Sequence, residues 1–260
     1  MAYFRCGAGS EFPDTMDIMT SSGHFDLSDL RTKATRVPKY MFYDNSYIWN
    51  VDGETFTIIG SYSFYRCSNI QDIDLPNVNL VNEHAFDCRR TTYKTTVNID
   101  MPKLLTIEAN GFYDYCAQNS AKELLFPRLK NIKNYAFGAS GNSYAWIVKK
   151  MTFGHDDGIV LGTYSFQRAQ IETIEVTSLT GTSDFGNHAF SSGSITNLVI
   201  RSQNVATLAV GSDLGSSPTN IYVPDSLVNT YKITDGWVNY ASVIKPLSEY
   251  DNPPEEEAEE

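Results

Sequence analysis

The feature that most constrains this chain is a six-residue pattern that returns seven times: an apolar residue, three variable positions, a small residue, then Phe. It reads VPKYMF (37–42), IGSYSF (59–64), VNEHAF (81–86), IEANGF (107–112), IKNYAF (132–137), LGTYSF (161–166) and FGNHAF (185–190). The Phe residues stand at 42, 64, 86, 112, 137, 166 and 190, so successive copies are 22, 22, 26, 25, 29 and 24 residues apart. Ser, Ala or Gly precedes the Phe in every copy but the first, which has Met41. Two positions before the Phe stands Tyr or His, except for Asn110. Fixed spacing inside the pattern with variable spacing between copies is what a solenoid requires. Each turn must bring one side chain to the same point of a shared core, while the connections face solvent and vary freely.

A short run of alternating apolar residues follows each Phe: Ile73-Asp74-Leu75, Val97-Asn98-Ile99, Leu124-Leu125-Phe126, Met151-Thr152-Phe153, Ile174-Glu175-Val176 and Leu198-Val199-Ile200. Period-two alternation marks a half-buried strand. Pro closes several of these runs (Pro76, Pro127, with Pro102 one step displaced) and also a final strand, Ile221-Tyr222-Val223, at Pro224, and would stop a strand without breaking its middle. In the first copy the strand falls on Val51 or Phe56. The expected fold is a right-handed solenoid of short parallel strands, one strand and one Phe-bearing bend per turn. Phe64, Phe86, Phe112, Phe137, Phe166 and Phe190 would stack inside it. Seven turns give a rod of roughly 35 Å.

The ends divide off by pattern. Residues 1–32 lack the repeat and read as an N-terminal cap or leader, and 33–223 form the solenoid. Within 224–248, Leu227, Val228 and Tyr231 share one helical face, and Trp237, Tyr240, Ala241 and Ile244 share another, with Gly236 between them. This predicts a capping helix pair, needed because the end of a stack must be shielded. Residues 249–260 read as a disordered acidic tail.

These repeats resemble the BspA-like leucine-rich repeats of gut Firmicutes and their prophages. The resemblance runs from Val37 to about Leu247, and the closing IYVPDSLVNTYK…W..YA..IKPLSEY is its most specific part. The opening MAYFRCGAG is similar to small proteins encoded among phage structural genes. What the resemblance implies is a binding module, either associated with a phage virion or tail, or carried on a bacterial surface. The chain shows no basic-then-apolar export signal and no apolar run long enough for a membrane span.

With 31 acidic and 20 basic residues, the chain carries a formal charge of −11, which argues against nucleic acid or an anionic membrane as partner. None of its cysteines (Cys6, Cys67, Cys88, Cys116) forms a Cys-x-x-Cys pair, and they read as free buried thiols. Cys67, Cys88 and Cys116 follow the Phe of successive turns closely enough to be neighbours along the stack.

The sequence holds no phosphate-binding glycine loop and no nucleophile elbow. His84 and His188 replace Tyr at a repeat position. His155-Asp156-Asp157, beside Gly154 and Gly158, reads as a polar turn, with a weak divalent-cation site as the alternative. Glu172 and Glu175 have the spacing of a glycosidase pair without its setting and read as solvated acids. No cofactor, metal or catalytic residue is expected, and a polysaccharide-degrading enzyme is the lowest alternative.

The expected function is therefore non-enzymatic binding of a host-surface protein or glycan, with a structural virion subunit as the runner-up. Side chains alternate along a strand, so the residue between each pair of core residues points outward. That row is Asp74, Asn98, Leu125, Thr152, Glu175, Val199 and Tyr222, and it is the candidate contact strip. Its apolar end, Leu125, Val199 and Tyr222, is the expected anchor, with packing under loops or a neighbouring subunit as the alternative.

Overall fold

A computed structural model describes residues 35–88, 98–115, 117–178, 181, 183–209, 214–215 and 218–253, and the backbone of three short strands, Tyr3–Arg5, Thr15–Asp17 and His24–Asp26. Each turn contributes two strands, where one was expected. The first apolar residue of the pattern ends a two-residue strand. Eight of these, from Arg36–Val37 and Ile58–Ile59 to Thr207–Leu208, stack in chain order as one parallel sheet. The eighth turn keeps the apolar residue, Leu208, but has no Phe five positions later, which is why the motif count stops at seven.

The strands after the Phe form the second wall. His24–Asp26, Asn50–Asp52, Asp72–Asp74 and Asn98–Asp100 make a parallel four-stranded sheet. Gln118–Phe126, Ile147–Phe153, Gln170–Val176, Ser194–Ile200, Asn220–Val223 and Ile244–Pro246 make a six-stranded one. The first copy's strand is Asn50–Asp52, with Val51 in the core, while Phe56 fills the connection that follows. The stack also takes in His24–Asp26, a strand inside the segment expected to be a cap.

Between the walls runs the aromatic ladder. Phe42, Phe64, Phe86, Phe112, Phe137, Phe166 and Phe190 are buried, with successive ring centroids 4.9, 5.1, 5.0, 5.8, 5.1 and 5.4 Å apart. These separations follow the strand spacing of about 4.8 Å, so every turn places its ring face to face on the next. The bends satisfy their backbone in the same direction. The N–H of Phe64 donates to the carbonyl of Ala85, that of Phe86 to Gly111, and that of Phe137 to Ser165, at 2.9, 2.7 and 2.7 Å. The small residue before each Phe is explained by burial: Ser63, Ala85, Gly111, Ala136, Ser165 and Ala189 have no room for more.

One strand register differs from expectation. Alternation alone predicts Val97-Asn98-Ile99 as the core-out-core triplet, but the core pair is Ile99 and Met101, with Asp100 between them opposite Asp74. Asn98 pairs with Asp72, one row over. With this register Pro102 directly follows a core residue, as Pro76 and Pro127 do, and its apparent displacement disappears. Val97 lies outside the described residues.

The C-terminal end closes the stack, but not with two helices. A helix α1 (Val228–Ile233) is followed by a 3-10 turn, Trp237–Tyr240, and Ile244 lies on a strand that pairs with Asn220–Val223. Gly236, at φ 82°, makes the break. Tyr231 and Trp237 are buried against the last turn, where the Tyr231 hydroxyl accepts the Ala206 N–H at 2.8 Å and the Trp237 indole N–H donates to the Ala206 carbonyl at 2.6 Å. Burial pushes the Tyr231 phenol up to about 12, so it stays protonated. A second helix α2 (Leu247–Asp251) follows, so the first residues of the expected tail, 249–251, are structured. Residues 254–260 lie outside the described residues, as do Cys6 and Cys116. Cys67 and Cys88 are free and buried, their thiols directed at the carbonyls of Phe42 and Cys67.

Candidate binding surface

The bend that aims each Phe inward aims another residue outward. Two positions before the Phe, Tyr40, Tyr62, His84, Asn110, Tyr135, Tyr164 and His188 all have positive φ, between 53° and 62°. A left-handed backbone costs a non-glycine residue roughly 1–2 kcal/mol. Every bend has such a residue at this position, and five bends carry a second two positions after the Phe, at Asp44, Arg66, Asp114, Arg168 and Ser192. Tyr in place of the less costly Asn or Gly implies a return from the side chain, and that return is stacking. The Tyr62 ring lies 5.1 Å from Tyr40 and 4.7 Å from His84, and further along Tyr164 lies 5.1 Å from Tyr135 and 5.5 Å from His188.

In the first turns a second column joins the first. Tyr43 and Tyr65, one position after the Phe, stack at 5.0 Å, and each meets the neighbouring column edge-on or tilted: Tyr40 to Tyr43 at 5.8 Å, Tyr62 to Tyr65 at 5.4 Å. The result is a two-column lattice of rings along one corner. Cations flank it on both sides. The Lys39 ammonium is 4.9 Å from the Tyr40 ring centre and the Arg66 guanidinium 5.2 Å from that of Tyr65. His84 is anchored from below by the buried Asp87, Nδ1 to Oδ2 at 2.7 Å. The Tyr62 hydroxyl is pushed up, first by burial and then by the neighbouring Tyr40 and Glu83, so it remains a neutral donor.

The chain through this corner and just beyond it is also rich in exposed apolar residues. Tyr40, Tyr43, Tyr47 and Trp49 are 50, 41, 64 and 46% exposed. They are four of the eight exposed large hydrophobic residues in the described chain, gathered within ten positions. Sequence reasoning treated the Tyr/His position as structural packing and missed the patch. The available signal was the pairing of Tyr at both Phe−2 and Phe+1 in the first two copies.

The expected strip divides in two. Asp74 is exposed, and burial together with Asp100, Asp72 and Glu54 holds its carboxyl above the usual range. Leu125 is 59% exposed and shares an open depression of about 300 Å³ with Asn98, Asp100, Lys122 and Glu123. Thr152 is half-buried. The other end is covered. Val199 is 0% exposed, and Tyr222 lies under Tyr250 of α2, with ring centres 5.2 Å apart. Glu175, expected to be solvated, is buried and bound by both Lys150 and Arg201. Burial alone would raise its carboxyl, but the two cations outweigh it and hold it below the usual range. Tyr222 lies under the returning C-terminal helix and Glu175 is enclosed by the Lys150 and Arg201 side chains, so alternation fixes the direction of these residues but not their exposure.

Glu172 remains exposed, and its supposed partner is committed to two cations. The His155–Gly158 segment is a turn closed by Gly158 N–H to the His155 carbonyl at 3.0 Å. Its Asp157 pairs with Lys130 at 2.8 Å, which holds that carboxyl below the usual range. Among the described residues no group of three His, Cys, Asp or Glu side chains is placed to hold a metal ion. No helix among them is long and apolar enough to cross a membrane.

A model of the BspA type leucine rich repeat region matches six copies over residues 35–153 and 106–232, most of the chain. The chain belongs to this family. The matched segments span all seven Phe-bearing bends, the eighth turn and the start of the C-terminal closure. No curated protein matches the chain. Among solved structures it is similar to a leucine rich cell surface protein of Faecalibacterium prausnitzii A2-165, at 16% identity and a TM-score of 0.37 over 75% of this chain and 60% of that one. It is also similar to a leucine-rich repeat protein of Bacteroides ovatus ATCC 8483, at 12% identity and a TM-score of 0.36 over 83% and 65%. The chain therefore spans less than two thirds of the length of either.

Proposed function

We propose that this chain is a non-enzymatic binding module that holds a host-surface protein against the aromatic corner of its first turns. The observation that carries the proposal is the exposure of Tyr40 and Tyr43 on a stacked ring lattice flanked by Lys39 and Arg66, with Tyr47 and Trp49 exposed just after them in the chain. Tyr, Trp and Arg are the residues that dominate binding energy at protein interfaces. Rings already stacked on one another lose little freedom on binding, which lowers the cost of association. Within the columns the ring faces are turned to one another, and sugar stacking needs open ring faces, so the lattice suits a protein partner better than a glycan. The exposed part of the outward row, Asp74 and Leu125 with the neighbouring Asn98 and the half-buried Thr152, is a secondary contact proposed on exposure alone.

Such a module belongs on a bacterial surface or a virion. The virion setting rests on the resemblance of the opening segment to small proteins encoded among phage structural genes and of the closing segment to repeat proteins of gut Firmicutes and their prophages. The partner is tested by incubating labelled chain with host cells, untreated or pre-treated with protease or with glycosidases. Attachment lost after protease and kept after glycosidase is the expected result. The reverse pattern would assign the partner to glycans, and no attachment to untreated cells would remove the binding reading.

A further inference from the structure

The outward face of the last long strands already has an occupant, and the occupant shows what the face recognises. Helix α2 is a single turn with no buried residue, far too short to persist by itself. Two of its side chains seat it on the sheet. The Tyr250 ring lies on Tyr222, with Lys150 and Arg201 at 5.8 and 5.9 Å from its centre, and its hydroxyl is 3.4 Å from the Lys150 ammonium. Asp251 receives two N–H groups of Arg201, at 2.8 and 3.1 Å. Without α2 the slot would consist of an aromatic floor, Tyr222, and two cations against the single carboxylate of Glu175, a surplus of one positive charge. That chemistry is complementary to an aromatic side chain followed by an acid, which is what Tyr250-Asp251 supplies.

We propose that this slot is a docking site for an acidic–aromatic segment of a partner protein, and that α2 is a resident copy of that segment, a strap the partner displaces. The hinge for displacement lies just after Pro246. The strand Ile244–Pro246 stays paired with Ile221, Tyr222 and Val223, so peeling can begin after Pro246 without disturbing the sheet. The ties that must break are the Tyr250 and Asp251 contacts and the hold of Asp225 on Leu247 and Ser248, which includes the Ser248 N–H to Asp225 Oδ1 at 3.0 Å. Opening uncovers Tyr222 and the Lys150–Glu175–Arg201 group, in register with the buried Val199. This site is separate from the aromatic corner and does not depend on it.

The test uses the full chain and a labelled peptide of residues 245–253 (KPLSEYDNP) as probe, read by fluorescence anisotropy. In the wild type the strap competes with the peptide. A Tyr250→Ala, Asp251→Asn chain should bind it at least about ten-fold more tightly, because a competing resident state reduces apparent affinity by its occupancy. Adding Arg201→Gln, or Lys150→Gln if that variant proves unstable, should remove about ten-fold or more of this affinity. Equal binding by wild type and strap variant, or affinity indifferent to both cations, would overturn the proposal. Hydrogen exchange on the unaltered chain is a second check. The amides of 248–252 should exchange at least about a hundred-fold faster than that of Leu198. Equal protection would mean that the strap does not open, and the proposal would fail.

Discussion

Replacing Phe137 with Ala removes a ring from inside the interior ladder. Phe137 is fully buried and stacks on Phe112 and Phe166 at 5.8 and 5.1 Å. Trp146 meets it edge-on at 5.1 Å, and Phe126 lies tilted at 6.1 Å. Truncating a buried Phe costs about 3–5 kcal/mol, the spread reflecting how far the site collapses. Here collapse is opposed on two sides by rings that are themselves fixed by the next turns. Each lost aromatic pair adds about 0.5–1.5 kcal/mol, though these terms are not additive. The upper end of the range follows, about 4–5 kcal/mol, or a fall in melting temperature of about 8–20 °C for a chain of this size. Phe190 stacks on only one ladder neighbour, Phe166, with Phe185 tilted beside it, so Phe190→Ala should lie near the lower end, about 3 kcal/mol. Chemical denaturation of the three chains measures both values. A loss below about 1.5 kcal/mol at Phe137, or a larger loss at Phe190 than at Phe137, would refute the interlocked ladder.

Glu175→Gln should cost about 1–3 kcal/mol at neutral pH, a buried-pair loss discounted because Lys150 and Arg201 are partly exposed. The folded Glu175 carboxyl is held below its unfolded value of about 4.3, so its stabilisation is present above that pH and is lost as pH falls through the folded pKa. Wild type and variant should therefore converge in stability in acid, and a gap that persists at about pH 2 would contradict the assignment. Tyr164→Val should destabilise by about 1–3 kcal/mol although the side chain is half-exposed, since a β-branched residue tolerates φ 57° poorly. Tyr164→Asn should cost clearly less, and equal losses would show that the bend is not strained there. Cys67 and Cys88 should react with a thiol reagent only as fast as the chain unfolds, and rapid labelling of either in native buffer would contradict their burial.

The spacing of the Phe residues carried most of the fold into view, because one ring per turn at one point of the core leaves a mark that no loop length can hide. The eighth turn escaped because Leu208 keeps its place without a Phe. The slip at Asn98 arose because Val97, Ile99 and Met101 all alternate correctly, so period alone allowed two registers. The second strand of each turn is two residues long, too short for any periodicity. At the surface, alternation assigned Val199, Glu175 and Tyr222 to the outward face but could not show that α2 returns over it, a contact made across 50 residues between Arg201 and Asp251. The aromatic corner was hidden for a different reason. Whether a Tyr points in or out of a bend depends on the sign of φ at that residue, and Tyr is not a residue from which a left-handed backbone is inferred.

The central claim is that the exposed rings of the first turns hold the partner. The direct test is quantitative attachment of labelled chain to host cells for the wild type, Tyr43→Ser/Tyr47→Ser and Leu125→Ser, each checked for an unchanged melting curve. Losing two exposed aromatic anchors should weaken attachment by about ten-fold or more, while Leu125→Ser should change it by about three-fold at most. Attachment by the Tyr43→Ser/Tyr47→Ser chain equal to wild type, with the fold intact, would contradict the claim.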